Sequence, residues 1–106
     1  MIDWKEFDEA VWLLQDIIGK QKRGSLSVNY GQQIGMALLY QSHRVLDLLT
    51  EMGLECKYNW KTKRITMEFP SCTLQQSTAV KGEDNLPNVL MLAITSDDFK
   101  KWKEEK

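Results

Sequence analysis

From Asp3 to Ile18 apolar side chains recur at Trp4, Phe7, Val11, Leu14 and Ile18, in alternating steps of three and four, with Ala10 and Ile17 widening the stripe. That period of 3.6 predicts an amphipathic helix. Its acids gather in the first turns, where they complement the partial positive charge of a helix N-terminus, and Gly19 with Lys20, Lys22, Arg23 and Gly24 reads as its stop and the following loop. Ser25 to Gly31 reads as loop, because Asn29-Tyr30-Gly31 sets two turn-prone residues around a ring. A second helix is expected from about Gln32 to Met52. It has Ile34, Leu38, Val45, Leu49 and Met52 on one face, Leu39, Leu46 and Leu48 at its flanks, and Gly53 as its C-terminal cap.

The period then drops to two. Leu54, Cys56, Tyr58 and Trp60 alternate with Glu55, Lys57 and Asn59, and Ile65, Met67 and Phe69 alternate with Arg64, Thr66 and Glu68. This predicts a β-hairpin in which Leu54 faces Phe69, Cys56 faces Met67 and Tyr58 faces Ile65, all six on one side. The turn is Lys61-Thr62 or a four-residue loop, since the Asn-Gly or Asp-Gly of tight turns is absent. Pro70 ends the second strand. Thr73 to Val80 reads as a weaker strand, residues 81–87 as a polar loop, and the apolar run Val89 to Thr95 as a strand covered on both faces. Ser96-Asp97-Asp98 opens a short C-terminal helix with Phe99 and Trp102 as its apolar pair.

The expected fold class is therefore α+β: two N-terminal helices packed on a three- or four-stranded, mainly antiparallel sheet, closed by a short C-terminal helix. At 106 residues the chain is read as one domain, residues 1–106, with a core of Phe7, Val11, Leu14, Ile18, Leu38, Val45, Leu49, Cys56, Ile65, Met67, Leu90 and Leu92. The longest apolar run, Val89 to Ile94, falls far short of the ~18–20 residues that span a bilayer. With no secretory-type N-terminus, a cytoplasmic location and no membrane partner are expected. Cys56 and Cys72 are read as buried, reduced thiols.

Candidate chemistry is sparse. His43 is the single histidine, lying opposite the apolar stripe of the second helix near Tyr40, Arg44, Asp47 and Glu51, with no Ser or Cys placed beside it. One histidine and two separated cysteines do not make a zinc site, and NYGQQIG lacks both the order of a dinucleotide-binding loop and the lysine of a P-loop. The acid pairs Asp8-Glu9 and Asp97-Asp98 have a structural reason at helix starts. The expectation is a non-enzymatic chain with no catalytic, cofactor or metal residues.

Two features instead suggest contact with a partner. Trp12 falls roughly 120° from the centre of its helix's apolar stripe, among Lys5, Asp8, Glu9 and Asp16. An exposed Trp is a preferred interface residue; the competing expectation is that the C-terminal segment covers it. The leading reading is thus a protein-binding module, an inhibitor or regulator of a larger protein of the size of immunity or phage anti-defence proteins, with Trp12, Asp8, Glu9 and Asp16 as its partner-binding residues. The second feature is charge. Residues 1–19 carry one lysine against five acids, residues 20–64 eight cations against three acids, and the remainder five against seven, beneath a net charge of −1. Lys57, Trp60, Lys61, Lys63 and Arg64 concentrate that basic middle around the hairpin turn, where cations suit phosphates and rings suit bases. Nucleic-acid binding is the alternative, and homodimerisation through Val89–Ile94 is compatible with either.

Overall fold

The computed structural model describes residues 3–23, 28–78 and 86–106. The element order is α1 (Trp4–Arg23), α2 (Val28–Glu51), β1 (Glu55–Asn59), β2 (Arg64–Glu68), β3 (Thr73–Gln76), α3 (Leu86–Ile94) and α4 (Asp97–Glu104). The chain is α+β, with two N-terminal helices preceding a three-stranded antiparallel sheet of order β1-β2-β3 and a short helix at the C-terminal end. Backbone packing divides it into two compact units, Met1–Met52 and Gly53–Lys106.

The first unit is a helical hairpin. Gln41, itself buried, donates from Nε2 to the Ala10 carbonyl at 3.0 Å, and Arg44 reaches Glu6 at 2.6 Å. Because the partner's number falls as the α2 number rises, the two helices run antiparallel. Phe7, Ala10 and Leu14 of α1 and Ile34, Leu38, Val45, Leu48 and Leu49 of α2 are buried, while Val11 and Ile18 are half-buried. Both helices exceed their expected limits. α1 runs through Gly19 to Arg23, since one interior glycine costs only about 1 kcal/mol and the Asp16–Lys20 pair at 3.0 Å supports the next turn. α2 begins at Val28, so Asn29-Tyr30-Gly31 is helical rather than a turn. Turn-prone residues cost little in a first turn, whose N–H groups lack intrahelical partners anyway. The loop expected at Ser25–Ser27 lies outside the described residues. Gly53 has φ +90°, the left-handed conformation that ends a helix and that glycine adopts without strain.

In the second unit the hairpin has the expected register, Cys56 opposite Met67 and Tyr58 opposite Ile65. Ile65 and Met67 are fully buried, and Phe69 just beyond them is buried too. β3 adds to β2 with Leu74 opposite Met67, but it ends at Gln76, so Ser77 and Thr78 are not strand as expected, while residues 79–85, with the end of that expected strand and the loop, lie outside the described residues. The segment read as a doubly covered strand is instead α3. Its buried residues Leu86, Val89, Leu90, Ala93 and Ile94 follow steps of three, one, three and one, which trace one helix face. Pro87 sits in the first turn, where its missing N–H is harmless. Leu92 consequently points away from Leu90 and is 43% exposed rather than part of the core, and no strand edge exists here for a second copy to extend. α3 packs on β2 and β3 and adjoins α4. Ser96 caps α4, its Oγ accepting from the Phe99 N–H at 3.2 Å, and Phe99 and Trp102 are buried. The Trp102 ring lies 6.1 Å from that of Phe69 and 5.7 Å from that of Phe99.

No helix is long and apolar enough to cross a membrane among the described residues. The thiols differ from expectation: Cys56 is half-buried, but Cys72, past the end of β2, is exposed.

Candidate functional site

α1 sets Trp12 on its solvent side. With 100° per residue, Lys5, Asp8, Trp12, Asp16 and Glu9 share a face of about 100°, opposite Phe7 and Leu14. Trp12 is 65% exposed, so the indole is a surface group rather than a covered one. Asp8 and Glu9 are exposed beside it, and Asp16 is half-buried against the Lys20 ammonium. The four residues expected to meet a partner are therefore brought together within about two turns of one helix. That clustering follows from spacing alone and needs no tertiary contact.

The same unit carries a second set of exposed apolar groups, two on the solvent side of α2 and one on α1. Met36 is 74% and Tyr40 71% exposed on α2, and Leu13 is also exposed on α1. The Glu6–Arg44 and Ala10–Gln41 contacts fix the antiparallel register. Carried one turn further, that register brings Leu13 level with Ala37, between Met36 and Tyr40. Along α2 the stripe continues through His43 and Asp47 to Glu51. There it meets a cavity of about 210 Å³ lined by Glu6, Tyr40, His43, Arg44, Asp47, Leu48 and Glu51. The Arg44 guanidinium and Glu6 carboxylate that span it are each nearly half exposed, so their 2.6 Å ion pair adds at most about 1 kcal/mol. This outer face thus carries the apolar Met36 and Tyr40 near the middle of α2, and toward its C-terminal end the acids Asp47 and Glu51 beside His43 and the Glu6–Arg44 pair. Among the described residues, no group of three or more His, Cys, Asp or Glu could hold a metal ion.

In the second unit the basic residues surround a four-residue turn, Trp60–Lys63, between β1 and β2. Asn59 organises it: its Oδ1 accepts from the N–H groups of Lys61 at 2.9 Å and Thr62 at 3.1 Å, and its carbonyl accepts from Lys63 at 2.8 Å. Lys63 closes the turn with φ +57°. Strand phase alone put Trp60 on the covered side with Tyr58. The strand ends one residue earlier, and the Trp60 ring swings out to 55% exposure, edge-on to Tyr58 at 4.8 Å. Lys57, Lys61, Lys63 and Arg64 are all exposed around it. Two are already engaged, Lys57 with Glu55 at 3.6 Å and Arg64 with the Gln75 amide oxygen at 3.3 Å.

Burial pushes the Cys56 thiol up to about 12, which keeps it protonated and unreactive at neutral pH. Exposed Cys72 borders a small hollow with Phe69, Pro70, Asp98, Lys101 and Trp102. No family model, no curated protein and no solved structure matches the chain.

Proposed function

We propose that this chain is a non-enzymatic protein-binding module, an inhibitor or regulator of a larger protein in the manner of immunity or phage anti-defence proteins, acting through Trp12 with Asp8, Glu9 and Asp16. The observation that carries the reading is the 65% exposure of Trp12 in the middle of a charged helix face. A large ring left in water has little structural use, whereas rings buried at the centre of an interface commonly supply its largest single contributions. The acids around it would set partner choice and approach rate more than affinity. We place the action in the cytoplasm, because Cys72 is an exposed free thiol of the kind that reducing compartments preserve. Affinity purification from the native host, run in parallel with wild type and Trp12→Ala, tests the proposal. Proteins retained by wild type and lost from the folded variant support it; equal recovery on both sinks it.

The hairpin turn favours a second reading, nucleic-acid binding through Lys57, Trp60, Lys61, Lys63 and Arg64. Its support is one exposed indole ringed by four exposed cations, a stacking platform with phosphate contacts. Counterion release makes such binding fall steeply with salt. Fluorescence anisotropy with a labelled single strand and a labelled duplex at low salt decides it: an unchanged signal at high protein concentration removes the reading.

A further inference from the structure

Both exposed surfaces pair an apolar ring with charge, and the charges are opposite. On the α1/α2 outer face Leu13, Met36 and Tyr40 lead into Asp47 and Glu51; at the β1–β2 turn Trp60 leads into Lys61 and Lys63. None of those four charged side chains has an ion-pair partner among the described residues. Tyr40 and Asp47 stand seven residues apart, roughly 10 Å along the helix, a span that a four-residue turn with two lysines can bridge. We propose that these surfaces recognise each other between copies of the chain. The hairpin turn of one copy docks on the outer helical face of the next, Trp60 over Leu13, Met36 and Tyr40, with the Lys61 and Lys63 ammonium groups against Asp47 and Glu51. This contact goes beyond the Trp12 reading and does not depend on it, since none of its residues is among Trp12, Asp8, Glu9 and Asp16, and Trp12 lies about 100° round α1 from Leu13.

Two features of the association follow. Different patches meet, so the contact is heterologous and propagates as an open chain of molecules or closes as a ring, unlike a two-fold dimer. The patches are small, so the association is weak and transient, and carried by charge.

Sedimentation equilibrium on the full chain tests this. Wild type should show an average mass that climbs with concentration past the dimer at about 0.1 M salt. The association should weaken at least about tenfold at about 1 M, where the Debye length falls from about 10 to about 3 Å. The double variants Lys61→Glu/Lys63→Glu and Asp47→Lys/Glu51→Lys should each stay monomeric alone, with circular dichroism matching wild type. Mixed together they should associate again, because each now presents the charge that the other's surface lacks. Three results would overturn the proposal: a wild-type chain that is monomeric at every concentration at low salt, self-association that survives either reversal, or two folded variants that fail to restore association on mixing.

Discussion

Trp12→Ala is informative only if it leaves the fold intact, and the structure sets how much stability it should cost. A tryptophan removes up to ~250 Å² from water when fully buried. At 65% exposure Trp12 has about a third of its surface covered, worth at most ~2 kcal/mol at ~25 cal/mol per Å². Two terms reduce that figure. The denatured chain already hides ~10–40% of such surface, and alanine is the better helix former by roughly 0.5 kcal/mol at an interior position. The net loss should be about 1 kcal/mol. Trp102 is the internal control: it is 4% exposed, and Trp102→Ala should cost about 3–5 kcal/mol through lost transfer energy and a cavity. Urea unfolding followed by far-ultraviolet circular dichroism measures both. A Trp12→Ala loss above about 2 kcal/mol would mean the indole is a packing element, and the case for an interface at that face would fail.

Other consequences concern individual caps, turns and thiols. Ser96→Ala removes the acceptor for the Phe99 N–H and should cost about 1 kcal/mol in the same denaturation experiment; no change would mean that water caps α4 equally well. Gly53→Ala meets no steric obstacle, since nothing lies near a Cβ built there. Any loss it causes reports the φ of +90° alone, and about 1 kcal/mol is expected. Iodoacetamide at pH 8 should label Cys72 quickly and leave Cys56 unmodified until urea unfolds the chain, read by peptide mass spectrometry; equal labelling would show that Cys56 is not desolvated. The Cys56 thiol also makes stability depend on alkaline pH. Its folded value near 12 lies above the ordinary 9.0, so the native state holds the proton more tightly. The stabilisation is complete below pH 9 and is lost as pH rises from 9 toward 12. Cys56→Ala should flatten that alkaline slope of the urea midpoint, and an unchanged slope would assign it to other groups.

How much of this was legible in the sequence depended on whether a segment's own pattern left one solution. The β1–β2 pairing did, because a period of two with one covered face tolerates no one-residue slip: moving Cys56 off Met67 would expose Ile65 and Met67 together. Ser96 was readable for a similar reason, since a hydroxyl residue followed by two acids serves a helix start and little else. Val89 to Ile94 offered no such constraint. A continuous apolar run fits a covered strand and a buried helix equally well. What decides is Leu86, whose spacing to Val89, Leu90, Ala93 and Ile94 is helical, with Pro87 supplying a compatible first turn. From Val89 onward the run alone does not carry that period; Leu86 does.

The candidate sites divide along the same line. Trp12 is exposed because its own helix puts it opposite Phe7 and Leu14, an intrinsic property that a helical wheel reads directly. Trp60 misled because alternation was extended one residue beyond the strand; Asn59, by accepting the Lys61 and Thr62 amides, ends the strand and turns the ring outward. The placing of Leu13 beside Met36 and Tyr40 needed more than either helix could tell. Met36 and Tyr40 share the solvent side of α2 by their own i,i+4 spacing, and it is only Leu13 on α1 whose level beside them is set by the antiparallel register that Gln41 on the Ala10 carbonyl and Arg44 on Glu6 fix. Gln41 is thus the residue that sets where Leu13 stands beside that surface. Gln41→Leu would keep its bulk while removing the donor that pins the register, so it should weaken self-association without abolishing helicity. Gln41→Glu, which places a buried carboxylate beside a carbonyl oxygen, should destabilise the hairpin itself.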